Sequence, residues 1–282
     1  MKNLNNKFLK IQNFFFLLAL SFSLSASAQL RFDDPIIIIE PAELVVTYSL
    51  GYQQDSLSDH IRYSEMYLFL GKNTSEFISK NNYRCDTIIR KIKNLTEFQE
   101  FLLDRNRPFQ KILYVIFKNY PKGKLTFIEH VLPSTLKYEE NLDIFKWQLS
   151  RDTATINGYK VQKATCNYGG RKWIAWFCPE IPYSDGPYKF NGLPGLILNV
   201  HDTRNHYSFE VISIEKPWKN LMIDMREKDF VETTKQEFFR AKDSFREDII
   251  SRAQEAGLSS EDQQNAAKTM AKRNNPLELK RN

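Results

Sequence analysis

Chemistry in this chain would have to start from four histidines, His60, His130, His201 and His206. Two of them, His201 and His206, flank Asp202-Thr203-Arg204-Asn205, the expected tip of a hairpin between residues 196–202 and 207–214. Side by side across two strands, the imidazoles and the Asp202 carboxylate could hold zinc or copper, which would make the chain a metal-dependent envelope enzyme or a metal-binding protein. The competing reading makes them solvated residues beside a surface turn, and no Cys-x-x-Cys, His-x-x-x-His or His-Glu-x-x-His spacing adds to the metal case. A Gly-x-Ser-x-Gly nucleophile elbow is missing. Cys85 falls in a helical stripe, and Cys166 and Cys178 fall in strands. The carboxylate pairs Glu139-Glu140 and Glu261-Asp262 lie in polar runs, where ordinary pKa values are expected, whereas general acid–base work needs perturbed ones. No catalytic constellation emerges, so the expectation is a non-enzymatic protein without a cofactor.

Aromatic side chains are the richer resource, at 13% of the chain. Trp147, Trp173, Trp176, Tyr183, Tyr188, Phe190 and Trp218 gather in or near its β-rich half. They fill a core, or they line a concave sheet that accepts an apolar ligand or a peptide strand. On the second reading Trp173, Trp176, Tyr188, Phe190 and Leu193 are the candidate ligand-binding residues.

The elements that must position these groups are mostly strands. Four isoleucines between Pro35 and Pro41, followed by the β-branched and aromatic run 44–52, read as one or two strands. Residues 65–70 and 75–79 flank Gly71-Lys72-Asn73 as a hairpin. Over 81–105 the apolar residues recur at steps of three and four, the stripe of a helix in one or two pieces. The strand signal returns at 111–120 and 125–132, with a turn at Pro121-Lys122-Gly123-Lys124, and weakens in 137–149, where the second half is assigned to a strand. Asn157-Gly158 marks a further turn. Gly169-Gly170 then supplies the positive φ of a two-residue hairpin loop, which sets Tyr168 opposite Arg171, Cys166 opposite Trp173 and Ala164 opposite Ala175. In that register Cys178 lies five positions along from Cys166 on the other face, too far for a bridge, so any disulfide must involve Cys85. Residues 229–256 carry a helical stripe that Gly257 ends, Ser259 or Ser260 caps a second short helix, and the tail after Lys272 is expected to be extended or mobile.

The stretch GPYKFNGLPGLILNV, residues 186–200, holds three of the chain's 10 glycines and two of its 11 prolines. Asp185-Gly186-Pro187 reads as a turn, 188–190 as a short extended piece, and Pro194-Gly195 as the centre of a type II turn. A phosphate-cradling loop would run into a helix carrying Lys and Ser or Thr, whereas this one feeds a β-rich run. The string Gly192-Leu193-Pro194-Gly195-Leu196-Ile197 spells the signature after which the GLPGLI family is named. With GGRKWIAWFCPEIP before it, HYSFEVISIEK after it and KRNNPLEL near the end, the chain resembles that family over most of residues 40–280. The resemblance implies an exported protein of Bacteroidota, built on antiparallel strands, periplasmic and associated with outer-membrane transport. It carries over no catalytic residues.

Export is also read from the residues. Lys2, Lys7 and Lys10, an apolar run from Phe14 to Leu20 and Ala26-Ser27-Ala28 follow the order of a secretory signal, with cleavage expected after Ala28. The run is too short to anchor the chain across a bilayer. Removing the three leader lysines takes the formal net charge from +6 to +3, too near balance to argue for nucleic acid. The expected organisation is a signal peptide at 1–28, a β-rich region at 29–228 and a C-terminal helical segment and tail at 229–282. Its fold class is α+β: a twisted, largely antiparallel sheet of half-barrel form with a mid-chain helical segment and a C-terminal helix on it. The expected role is binding of an apolar or peptide ligand, or of an envelope protein such as an outer-membrane transporter.

Overall fold

The computed structural model describes residues 35–226 and 230–281, and the expected leader and its cleavage site lie outside them. Twelve strands form one open sheet, in the order β14 (Phe230–Glu232), β7 (Ser134–Asn141), β6 (Lys124–Val131), β5 (Val115–Lys118), β4 (Ser75–Ser79), β3 (Arg62–Leu70), β2 (Leu44–Tyr52), β12 (Tyr207–Glu215), β11 (Leu196–Asp202), β10 (Arg171–Cys178), β9 (Tyr159–Tyr168) and β8 (Gln148–Ile156). Every pairing is antiparallel except β14 with β7. The two-stranded sheet of β1 (Ile36–Pro41) and β13 (Met222–Arg226) is separate.

Three ring contacts show how far the large sheet is curled. Phe127 on β6 and Trp173 on β10 stand seven strands apart, about 34 Å in a flat sheet. Tyr188 and Phe190 bridge them with centroid separations of 6.4 Å to Phe127, 6.2 Å to each other and 4.8 Å to Trp173. Such a span closes only if the sheet wraps into a half-barrel, and the two edges β14 and β8 remain unjoined.

Alternation along the strands sorts residues between two cores. On β2 and β3, Val46, Tyr48, Leu50, Met66, Leu68 and Leu70 point into the concave core, while Val45 and Phe69 join a second core on the convex side. That convex layer is supplied by Leu221 and Ile223 from β13 and its approach and by Tyr83 of α1 (Lys80–Ile89). Covering both faces explains why β2 and β3 read as nearly continuous apolar runs.

The expected 81–105 helix forms as two pieces, α1 and α2 (Leu95–Leu103), each started by a side chain that accepts from the backbone three residues on: Ser79 from Asn82 and Asn94 from Glu97. The expected helix over 229–256 is corrected. Phe230-Val231-Glu232 extends beside Thr135-Leu136-Lys137, and helix begins only where Thr234 and Glu237 close a capping box, giving α3 (Lys235–Glu247) and α4 (Ile249–Glu255). Phe238 of α3 packs on Phe127 and Tyr138 at 5.3 and 5.1 Å, so this helix shares the concave core with the sheet. Ser259 caps α5 (Ser260–Ala271). The reading of 137–149 is also corrected: the strand is its first half, β7, and β8 starts only at Gln148. Leu136 and Tyr138 point inward as an alternating pattern requires, but the next inward position is Glu140, whose charge hid the period. Among the described residues no helix is long and apolar enough to cross a membrane.

Candidate functional site

The segment between β10 and β11 lies inside the half-barrel. It leaves at Cys178, turns back on itself through the Asp185–Asn191 bridge, and re-enters the sheet with Leu196 N donating to Ile181 O (3.0 Å) and Ile197 N to Asp185 O (2.9 Å). Residues 188–190 form a turn, closed by Phe190 N on Pro187 O (3.1 Å), in place of the extended piece expected. Tyr188 takes a φ of +54°, a region that few non-glycine residues occupy. The expected type II turn at Pro194-Gly195 is a tighter three-residue turn, with Gly195 N on Leu193 O at 2.8 Å. Gly195 has φ +148°, and a Cβ there would lie 2.1 Å from the carbonyl oxygen of Cys178, so the strand backbone itself excludes a side chain.

Two buried lysines pin this plug. The Lys118 ammonium on β5 pairs with Asp185 and donates to Gly186 O (2.5 Å), and Ser75 Oγ donates to the other Asp185 oxygen at 2.6 Å. Burial pulls the Lys118 pKa below the usual lysine range, against the opposing pull of Asp185. Lys189, also fully buried, pairs with Glu140 of β7, with Glu278 at 2.8 Å and with the Tyr138 hydroxyl at 2.8 Å. The rings of Phe127, Tyr138 and Tyr188 stand 5.0, 5.1 and 5.5 Å from the same ammonium. Lys235 at the start of α3 completes a four-membered network, 3.1 Å from Glu140 and 2.9 Å from Glu278. Burial would raise the Glu278 carboxyl, but Lys189 and Lys235, with donated hydrogen bonds, bring it down to about 2.

Glu278 belongs to the tail that was expected to be extended or mobile. Its position corrects the second half of that expectation, because the tail is docked along the β9–β10 turn. Arg171 donates to Asn275 Oδ1 (2.6 Å), Pro276 O (2.7 Å) and Leu277 O (2.9 Å), and holds Asp202 at 2.9 Å. The Leu279 amide closes on Gly169 O at 2.6 Å. No local pattern in the sequence pairs residues some 90 positions apart, which is why the tail's anchoring role stayed hidden.

The sequence candidates are distributed as follows. Trp173, Tyr188, Phe190 and Leu193 lie in the concave core, none more than 4% exposed. They pack on one another and on Phe145, Phe209 and Tyr168, so the chain itself occupies the concave space that they were expected to open to a ligand. Trp176 faces the other side of β10 and is partly exposed, with the Lys163 ammonium 5.9 Å from its ring. The three alternative metal ligands do not converge on one point: Asp202 and His206 meet only through Arg171, and among the described residues no three His, Cys, Asp or Glu could hold a metal ion. Asp202 turns inward to Arg171 and accepts the Tyr207 amide at 2.8 Å. His201, one residue earlier and therefore on the opposite face, lies 3.0 Å from Asn199 Oδ1, and burial lowers its pKa against the pull of Asp202 and Glu210. His206 lies beside Arg171 and Asn275. All three cysteines are free and buried, with burial raising the Cys85 thiol to about 11 and the Cys166 thiol to about 12, far from a reactive thiolate.

Among the described residues, two surface concavities bear on a binding role. A cleft of about 560 Å³ beside the tail is floored by Arg171, Lys235, Tyr168 and Glu140, all committed to the networks above. A groove of about 440 Å³ runs over the convex face between β2, β3, β12 and α1, and its exposed apolar lining is Tyr63 (65%), Ile212 (51%) and Phe109 (39%). Gly51 lets the Tyr63 ring settle at its edge: a Cβ there would meet Ser208 Oγ at 2.8 Å and the Tyr63 ring at 3.2 Å. Sequence reasoning missed this groove. Its one local signal is a glycine inside a strand, which often marks a close approach.

A family model described as a protein of unknown function (Porph_ging) matches residues 169–199, a shorter span than the GLPGLI resemblance but centred on the same residues. No curated protein matches the chain. Two solved structures of PNGF-II, in space groups P21 and C2, match with TM-scores of 0.50 and 0.49 at 14% identity over 71% of this chain. The chain spans about a third of the length of PNGF-II, covering 33% and 32% of those two chains. A LolA superfamily protein from Nitrosomonas europaea matches at 8% identity over 64% of this chain and 89% of its own, with a TM-score of 0.26. The match to the family of unknown function thus begins at the Gly169-Gly170 turn that receives the tail and runs through the plug into β11.

Proposed function

We propose that the protein is exported to the periplasm and works there as a non-catalytic binding protein of the cell envelope, with its ligand or partner on the outside of the half-barrel. The observation that carries this reading is the contrast between the two faces. The concave side is filled by the plug, the tail and α3 and locked by buried ion pairs. The convex side keeps an open groove with exposed aromatic and aliphatic side chains. Side chains that carry covalent or acid–base chemistry elsewhere are committed here to structure: the thiols are buried, and Asp202, Glu140 and Glu278 are matched to cations. Fixed, filled interiors with a separate apolar patch suit recognition better than turnover.

The reading is tested by purifying the protein from its own envelope fraction, sequencing the N-terminus and cross-linking before native mass spectrometry. A mature terminus at Gln29, with a co-purifying ligand or a partner cross-linked at Tyr63 or Lys80, is the expected result. An intact Met1, or a bare monomer with no cross-link on the convex face, would contradict it.

A further inference from the structure

We propose that the convex groove binds an amphiphile with one anionic head and an apolar body, an inference that rests on the binding role above and names its ligand class. The groove has two unlike ends. On the α1 side it carries three cations, Lys80, Arg84 and Lys111, and a single lining carboxylate, Glu65. Glu65 is taken by Lys80, while Arg84 and Lys111 are matched to no carboxylate among the described residues. An anionic head placed there meets unbalanced positive charge.

The other end is apolar by construction. Where β12 pairs with β2 the register shifts between Val211 and Ser213, which leaves Ile212 as the extra residue without a partner. Ile212 continues the outward positions of β12 after Ser208 and Glu210, and it is 51% exposed. Across the groove Tyr63, 65% exposed, lies over Gly51, while Phe109 stands on the α1 side, where its carbonyl accepts from Asn81 at 2.8 Å. An outward isoleucine on β12, an exposed aromatic ring on β3 and two cations matched to no carboxylate are three separate features of one groove. Its volume of about 440 Å³ falls within the range of small-molecule sites. Charge at one end and apolar surface at the other are the complement of a short acyl carboxylate or a similar single-headed amphiphile.

The test is calorimetric titration of the full mature chain with sodium dodecanoate below its micelle concentration, with dodecyltrimethylammonium and acetate as the matched cationic and tailless probes. Dodecanoate is expected to bind at one site, at least tenfold more tightly than dodecyltrimethylammonium, and acetate not to saturate. The double variant Arg84→Glu, Lys111→Glu is expected to weaken dodecanoate at least tenfold and Ile212→Ser about fivefold, both with unchanged thermal melting, since all three side chains are solvent-facing. Equal binding of the cationic probe, or dodecanoate binding unmoved by these variants, would overturn the groove assignment while leaving a binding role intact. Absence of dodecanoate binding alongside capture of an acidic peptide or an envelope protein at Tyr63 would overturn the amphiphile class and keep the groove as a protein-docking surface.

Discussion

Replacing Glu278 by alanine is expected to destabilise the protein by about 3–5 kcal/mol, the cost of leaving a buried charge without its partner. Glu278 is where the plug, the tail and α3 meet. Its carboxylate is 2.8 Å from Lys189 and 2.9 Å from Lys235, and it accepts the hydroxyls of Tyr188 (2.7 Å) and Tyr168 (2.9 Å). Lys189 is fully buried, and without Glu278 it must share the single Glu140 carboxylate with Lys235, so one negative charge is left against two positive ones. The variant Lys189→Met, Glu278→Leu leaves Glu140 and Lys235 as a matched pair at 3.1 Å and should recover much of the loss. Urea titration of this double variant and of its two singles, Lys189→Met and Glu278→Leu, measures that coupling, and purely additive losses would show that the network is not a unit. The same carboxylate sets an acid limit. Its folded pKa, about 2, lies below the ordinary 4.5, so its contribution is fully present above pH 4.5 and is lost as pH falls through about 2. The difference is worth about 3 kcal/mol.

Gly195→Ala is expected to be as damaging by a different mechanism, about 3 kcal/mol or more, or a failure to fold. The added methyl would sit 2.1 Å from the Cys178 carbonyl oxygen and 2.6 Å from its carbon, and neither can yield without moving β10. The residue's φ of +148° adds backbone strain for any side chain. Gly192→Ala provides the contrast: φ is +89°, but the nearest heavy atom to its Cβ is 3.9 Å away, so only the backbone term applies and about 1 kcal/mol is expected. Thermal melting of both separates close approach from conformational preference.

The parts of the fold that were legible in the sequence are those with local signals. Gly169-Gly170 fixed the hairpin register, and Arg171, Trp173 and Ala175 do face Tyr168, Cys166 and Ala164. The stripe in 81–105 became two helices because capping residues, Ser79 and Asn94, stand at two starts. Illegible were features made by distance. Lys189 reads as an ordinary surface lysine between Tyr188 and Phe190, yet the half-barrel folds around it because Glu140 and Glu278 arrive from 49 positions before and 89 after. Trp173, Tyr188, Phe190 and Leu193 gather in the concave core while Trp176 faces the other side of β10, and composition cannot tell a cluster that faces a ligand from one that faces the chain's own plug. The convex groove depends on Ile212, an outward position of β12 that holds an isoleucine instead of a polar residue, and on Tyr63 and α1, which only the fold brings beside it.

Native-state hydrogen exchange on the plug amides bears most directly on whether the GLPGLI stretch is a fixed structural insert with recognition placed outside it. The Phe190, Gly192, Leu196 and Ile197 amides, bonded to Pro187, Ser184, Ile181 and Asp185, should exchange only through global unfolding, as slowly as the central amides of β2 and β3. Exchange of these four through a local opening far cheaper than global unfolding would mean that the plug swings out of the half-barrel, and the concave aromatic surface would then be the binding site instead.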